Sequence, residues 1–294
     1  MARRIAFIGA GRLAQTLAPA WAAMGEQMVL IASRQIESAR GLAAQLPGCR
    51  AMALDELAAS GAAVLAQVEL VFVSVNDAAI ASTVSALGWR AGQWVVHCSG
   101  ATELDALQAA ADADAAVGGF HPLQIFSDPA TAAQQLVGVA VAVESADEAL
   151  RAELMRLARV LGMHPWQLPA GARAAYHGAA SFAASFMLSL LAEAVQVWAS
   201  LGLDEPTALA ALLPLARGTL AAAQARGLAG ALSGPISRGD ANVVAAHLKA
   251  FDALGRPHGE FYRLLAQRQL PLAAQSGRLD SAALRSLEDL LLRR

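Results

Sequence analysis

Gly9-Ala10-Gly11-Arg12-Leu13-Ala14 is a G-x-G-x-x-A run between an apolar stretch, residues 5–8, and a segment in which Leu13, Leu17, Trp21 and Met24 recur at helical spacing. The first glycine permits a tight turn, and the second lets the backbone approach a pyrophosphate at a helix N-terminus. The small third residue lets helix and strand pack closely. In strand-turn-helix context the run predicts a dinucleotide site with Gly9, Gly11, Arg12 and Leu13 against the phosphates. About 20 residues further on, such a site places an acidic residue when it binds ribose hydroxyls. This chain has Ser33-Arg34 there, a hydroxyl and a guanidinium that suit a 2′-phosphate, so the expected cofactor is NADP(H) rather than NAD(H). Ser74, Val75 and Asn76 end one further strand candidate and are expected to touch the cofactor largely through backbone. Ser99 ends another, on the nicotinamide side, with His97 as a core histidine.

His177, Ser181, Ser185, Ser189 and Glu193 fall every four residues along one predicted long helix. Each step turns the stripe by only ~40°, so the first three share a face. If that face lines a cleft, His177 is a proton donor, Ser181 lies beside it and Ser185 contacts substrate. Alternatively the serines serve close helix packing and His177 bonds a carbonyl. His121, expected in the loop after a short strand at residues 116–120, is the second acid/base candidate. Arg238, in the turn-rich run 234–240, could clamp a carboxylate bidentately, and Asp240 is placed to cap the following helix. His164 and His258 have no evident partners and read as structural. Lys249 is the only lysine, which argues against lysine-dependent mechanisms unless it reaches the cleft.

These side chains need a scaffold. Strand candidates at residues 5–8, 28–32, 70–75, 94–98, 116–120 and 138–143 alternate with helical stretches, implying βαβ units and a mostly parallel sheet. The run 70–75 is apolar nearly throughout and should lie mid-sheet. The pattern changes after Pro165 and Pro169, and from Arg173 to the end no convincing strand remains. Breaks at Gly202, Pro206, Pro214, residues 227–239, Pro257 and Pro271 divide the rest into about five or six helices. The predicted architecture is an α/β Rossmann dinucleotide-binding domain, residues 1–168, followed by an all-helical domain, residues 169–294.

Hydrophobic residues at 56% supply material for two cores, and a formal charge of −2 offers no footprint for nucleic acid or an anionic membrane. Cys49 and Cys98 form no metal or disulfide pattern, and residues 5–8 are too short for a signal-peptide core, so a cytoplasmic protein is expected. The apolar stretch 179–201 is broken by Glu193 and Gln196, which favours a core helix over a membrane span. The length of apolar helix in the second half exceeds what one small domain readily buries, so a homodimer through that half is expected.

GAGRLA at Gly9, SRQIESAR at Ser33, VHCSGA at Val96, GFHPLQIF at Gly119, AYHGAASFAASFMLSLLAEA at Ala175 and LSGPISRGD at Leu232 occur in order across nearly the whole chain. In these the chain resembles the Rossmann-like NADP oxidoreductases of the 6-phosphogluconate dehydrogenase-like superfamily, whose helical half is a domain of unknown function. More distantly its layout is similar to pyrroline-5-carboxylate reductase and ketopantoate reductase. The resemblance implies NADP binding, a homodimer and an active site between domains, and names no substrate. Ser185 stands where typical members carry Asn, which removes an amide hydrogen bond there. The expected function is hydride transfer between NADP(H) and a small carbonyl or imine compound, acidic if Arg238 engages it, with His177 or His121 supplying the proton. The alternative is a non-catalytic NADP(H)-binding sensor or scaffold.

Overall fold

The computed structural model describes residues 3–255 and 257–292. Two compact units divide it, Met1–Ser181 and Phe182–Arg294. The first carries β1 (Arg4–Ile8), β2 (Gln27–Ser33), β3 (Arg50–Ala53), β4 (Leu70–Val73), β5 (Trp94–His97), β6 (Ala116–Pro122), β7 (Ala140–Glu144) and β8 (His164–Gln167). They form one sheet in the order β3-β2-β1-β4-β5-β6-β7-β8. All pairs are parallel except β6 with β7, where Phe120 lies opposite Val143 and His121 opposite Ala142. This is the mostly parallel sheet that the strand-helix alternation predicts. The chain reverses its direction of winding between β1 and β4, and the crevice at such a switch point is where doubly wound sheets bind ligands.

Helices of ten residues or more are numbered here: α1 (Arg12–Ala23) and α2 (Glu148–Val160) pack on the sheet, and α3 (Arg173–Ala183) follows β8. On one face of the sheet Phe7, Trp21, Phe72 and Phe120 stack with ring centroids 4.9–6.0 Å apart, and Leu150, Leu154 and Leu157 of α2 close over them. The Trp21 indole N–H donates to the Leu157 carbonyl at 2.9 Å, so this large buried ring leaves no polar atom unpaired. Ile8, Leu30, Val71, Val73, Ile80 and Leu107 fill the other face. β4 and β5 are buried at every position, as central strands covered on both sides require.

The second unit is helical among its described residues: α4 (Ser185–Ala199), α5 (Glu205–Ala231), α6 (Ala241–Ala253), α7 (His258–Gln275) and α8 (Ser281–Leu292). Its core is small, with Ile236, Val244, Leu248, Ala266, Ala273, Leu287 and Leu291 at the centre. Pro214 and Pro271 do not end helices as expected; both lie inside them. Pro214 is exposed, so the carbonyl deprived of its partner can stay in water. A break does fall at Gly227, where the expected 227–239 interruption begins; its φ of 70° is open to glycine and kinks α5. Two stretches, Arg173–Ala199 and Glu205–Ala231, are long and apolar enough to cross a membrane by length and composition, and little of either is buried.

The predicted long helix carrying the His177–Glu193 stripe is broken. Ala184, at φ −115° and ψ −93°, separates α3 from α4, so His177 and Ser181 lie on one helix and Ser185, Ser189 and Glu193 on another. The break coincides with the limit between the two units. α3 begins in the first unit rather than after a boundary at 168, because its first residue is buried against the end of the sheet.

Candidate active site

At the switch point the sequence pattern acquires geometry. Gly9 adopts φ 109°, and a Cβ there would lie 2.5 Å from the Ser74 carbonyl oxygen. Only glycine lets the loop after β1 pass so close to the end of β4. The Gly9 N–H donates to the Ala32 carbonyl at 2.7 Å, joining this loop to the end of β2 as well. The Ser74 hydroxyl donates to the Gly9 carbonyl at 3.0 Å. Gly11 takes the N-cap of α1 without a side chain to cap it, which leaves the first N–H groups of α1, from Arg12 and Leu13, for an anion. Ala14 is fully buried, as close packing of helix on strand demands. Arg34 follows β2 directly, is exposed and makes no ion pair among the described residues. The residues present therefore fit a dinucleotide: a cradle that a Cβ would fill, open helix N–H groups, and a free guanidinium one strand away.

Ser99 is placed differently. Its hydroxyl donates to Thr102 Oγ1 at 2.9 Å and accepts from the Ala101 and Thr102 N–H groups at 3.2 and 3.0 Å. It shapes the loop after β5 and is 7% exposed. His97 is buried, as expected of a core histidine; its Nδ1 accepts from the Ser99 N–H at 3.2 Å. Asn76 caps a short 3₁₀ turn through backbone, without a side-chain capping bond.

A second cluster gathers beside that loop. His121 stands within β6, not in a loop after it, because the antiparallel pairing with β7 carries the strand to Pro122. Its Nδ1 lies 2.9 Å from the Tyr176 hydroxyl, and the His121 and His177 rings are 5.8 Å apart. Both imidazoles converge on Gly100: a Cβ there would lie 2.5 Å from His177 Nδ1 and 2.8 Å from His121 Nε2. Ser181 on the same helix only returns a bond to the His177 carbonyl, at 3.5 Å.

Arg173 fixes the helix that brings Tyr176 and His177 there. Its guanidinium is fully buried, with Nε donating to Glu144 Oε2 at 2.6 Å and Nη1 to the Ser99 carbonyl at 2.7 Å. Its backbone N–H donates to Glu103 Oε1 at 3.2 Å. The guanidinium lies on the backbone of Gly119, where any Cβ would overlap it. Burial raises the Glu144 carboxyl above the ordinary carboxylate range, and the Arg173 charge works against that rise. Sequence reasoning missed Arg173, Glu144, Gly100 and Tyr176. The signal was available in part: Arg173, Tyr176 and His177 stand at i, i+3 and i+4, one face of a helix.

In the second unit, Arg238 is exposed and its Nε donates to Asp240 Oδ2 at 2.8 Å. Asp240 does take the N-cap position of α6, but it makes no capping bond because its carboxylate is engaged by Arg238. Ser185 starts α4 and is exposed. His258, expected to lack a partner, bonds Glu193 at 2.6 Å. The thiols are quiet: burial pushes Cys49 up to about 11 and Cys98 to about 12.

Residues 4–101 match the family model described as NADP oxidoreductase coenzyme F420-dependent, and residues 139–269 match a domain of unknown function, DUF2520. No curated relative matches the chain. Among solved structures, protein TM1727 from Thermotoga maritima is 24% identical, with a TM-score of 0.76 over 93% of this chain and 100% of that one. Protein BF3122 from Bacteroides fragilis, assigned as an NADP oxidoreductase, is 26% identical, with a TM-score of 0.67 over 91% and 97%. A reductive aminase from Aspergillus terreus, solved with NADPH4, cyclohexanone and allyl amine, is 16% identical, with a TM-score of 0.60 over 98% and 99%.

The histidines of this site make a prediction about stability. Burial first, then the Arg173 charge, holds His97 down to about 3; burial first, then His177, holds His121 down to about 4. Both rings are neutral in the folded chain, whereas an unfolded histidine titrates near ~6.5. Between about pH 6.5 and 4 the unfolded chain binds protons that the folded chain refuses, so stability is full above that window and falls as acid is added. Urea midpoints should drop between about pH 7.5 and about pH 5, and His97→Asn should flatten the profile. A wild-type midpoint that did not move would contradict the buried neutral pair.

Proposed function

From a chain that joins an NADP oxidoreductase Rossmann domain to a DUF2520 helical domain, we propose an enzyme that transfers a hydride between NADP(H) and a small carbonyl or imine compound. The observation that carries this is the convergence of His121 and His177 on Gly100, in the loop after β5 and at the same carboxyl end of the parallel strands as the Gly9 turn. Gly9, Gly11, Arg12 and Leu13 hold the pyrophosphate, Ser33 and Arg34 the 2′-phosphate, and Ser74, Val75 and Asn76 present backbone to the cofactor. NADPH, when bound, supplies the hydride; the protein must supply the proton. Burial first, then the neighbouring His177, holds the His121 ring neutral. His177 is therefore the donor, exposed enough to regain its proton from water. His121, hydrogen-bonded to Tyr176, orients the reacting oxygen or nitrogen. A carbonyl or imine substrate is favoured by the reductive aminase of the same fold, which was solved with a ketone and an amine. Arg238 would meet an acidic group on the substrate only after leaving Asp240.

We also propose that the chain works as a homodimer through its helical unit. Phe186, Leu188, Leu215, Leu220 and Leu228 are 48–69% exposed on α4 and α5, an apolar surface that a second copy would cover. Membrane insertion is disfavoured by the two ends of the first apolar stretch: Arg173 is buried against the sheet of the first unit, and Glu193 is bonded to His258. Light scattering at micromolar concentration should report about twice the 30.3 kDa chain. A monomer would remove the claim.

Cofactor choice is tested by calorimetry: NADPH should bind more tightly than NADH, and Arg34→Ala should cost about tenfold to a hundredfold for NADPH alone. Equal wild-type affinities would overturn the assignment.

The chemistry is tested by NADPH oxidation against ketones, with and without amines. His177→Ala should lower kcat by about 10²–10⁴-fold while leaving NADPH affinity nearly unchanged. Near-wild-type turnover by that variant would transfer the proton to His121 or water. Tight NADPH binding with no turnover across the panel would favour a non-catalytic sensor.

A further inference from the structure

The helical unit contains a cavity of about 220 Å³ between α4, α6 and α7. Trp198, Phe251, Phe261 and Tyr262 supply its aromatic wall, and Glu193 and His258 its ionisable groups. The polar atoms on this wall are mostly committed elsewhere. The Tyr262 hydroxyl lies 2.9 Å from His247 Nδ1, so the tyrosine offers the cavity its ring rather than its hydroxyl. Phe251 packs on that ring with centroids 5.1 Å apart. His258 Nδ1 lies 2.6 Å from Glu193 Oε1, and their side chains are 15% and 24% exposed. Glu193 Oε2 has no hydrogen-bond partner among the described residues, which leaves one half-satisfied carboxylate in an aromatic chamber.

From this juxtaposition we propose that the cavity is a binding site for a small organic ammonium ion. Aromatic faces attract a cation through their quadrupoles, most strongly where water is excluded, and the carboxylate oxygen supplies the counter-charge and a hydrogen-bond acceptor. An anionic ligand would face Glu193, with no arginine or lysine among the described lining residues and with His258 already bonded to Glu193. A neutral apolar ligand would leave the open carboxylate oxygen buried without a partner, which is costly. The size sets the class further: the cavity falls below the ~300–1,000 Å³ of sites for drug-sized ligands, so the occupant is a primary or secondary amine with a compact hydrocarbon body. The proposal goes beyond the oxidoreductase reading and does not depend on it, since every residue named lies in the helical unit.

The test uses the full-length protein without cofactor and cyclohexylammonium chloride as the probe, followed by calorimetry and by tryptophan emission, with cyclohexanol as the neutral counterpart of equal shape. Cyclohexylammonium should bind at least about tenfold more tightly than cyclohexanol, and Glu193→Gln should abolish that preference. Trp198→Leu should weaken the cation and remove the emission change. Equal binding of amine and alcohol would overturn the proposal, as would an amine preference that survives Glu193→Gln. Absence of binding to a dimeric wild-type protein would also overturn it, by indicating that a second copy fills the cavity. Circular dichroism of both variants separates lost binding from lost fold.

Discussion

The buried pair of Arg173 and Glu144 is the constraint on which the candidate site depends. A guanidinium removed from water is expensive, and its cost is offset only where close hydrogen bonds replace the lost solvation. Arg173 finds Glu144 Oε2 at 2.6 Å and the Ser99 carbonyl at 2.7 Å, but its Nη2 has no partner among the described residues. The arrangement is thus a poor source of net stability and a strong source of position. It ties the first residue of α3 to the loop after β5, the backbone of β6 and the end of β7 at once. Tyr176 and His177, three and four residues on, then have little choice about where they stand. Gly119 is part of the same constraint, since only a residue without Cβ leaves room for the guanidinium on β6.

This explains an otherwise odd strand. Gly118 and Gly119 sit side by side in β6, where glycine packs nothing and costs backbone entropy. A Cβ at Gly118 would lie 2.8 Å from the Glu144 carbonyl oxygen. The two glycines let the antiparallel β7 bring Glu144 beside β6 while Arg173 lies on top. Sheet pairing, the ion pair and the position of His121 are therefore one packing problem, not three.

How much of this was legible depends on where each residue's constraint originates. The central strands were readable because residues buried on both faces must be apolar throughout, as at Leu70–Val73. The two unread strands, β3 and β8, are the edges of the sheet, each with one neighbour and therefore little compositional demand. β8 even contains Pro165, tolerable on an edge strand and easily taken for a boundary. The glycine turn was readable because its steric requirement is local. The break at Ala184 was not readable: no glycine or proline marks it, and it falls where one compact unit gives way to the next. The Arg173–Glu144 pair spans 29 residues, and no periodicity reports such a contact.

The same reasoning bears on the division of labour between the two histidines, which the sequence left open. His121 and His177 are chemically equal as written, and only surroundings distinguish them. His121 is fixed in a strand, bonded to Tyr176 and pressed by burial and by two positive neighbours, so its proton affinity falls to about 4. His177 stands exposed on a helix and carries none of those packing obligations. His121 is therefore the ring that its surroundings hold neutral, by burial before any neighbouring charge. Arg173 adds to the lowering of His121 only after burial and His177, and its place at the start of α3 sets where His177 stands.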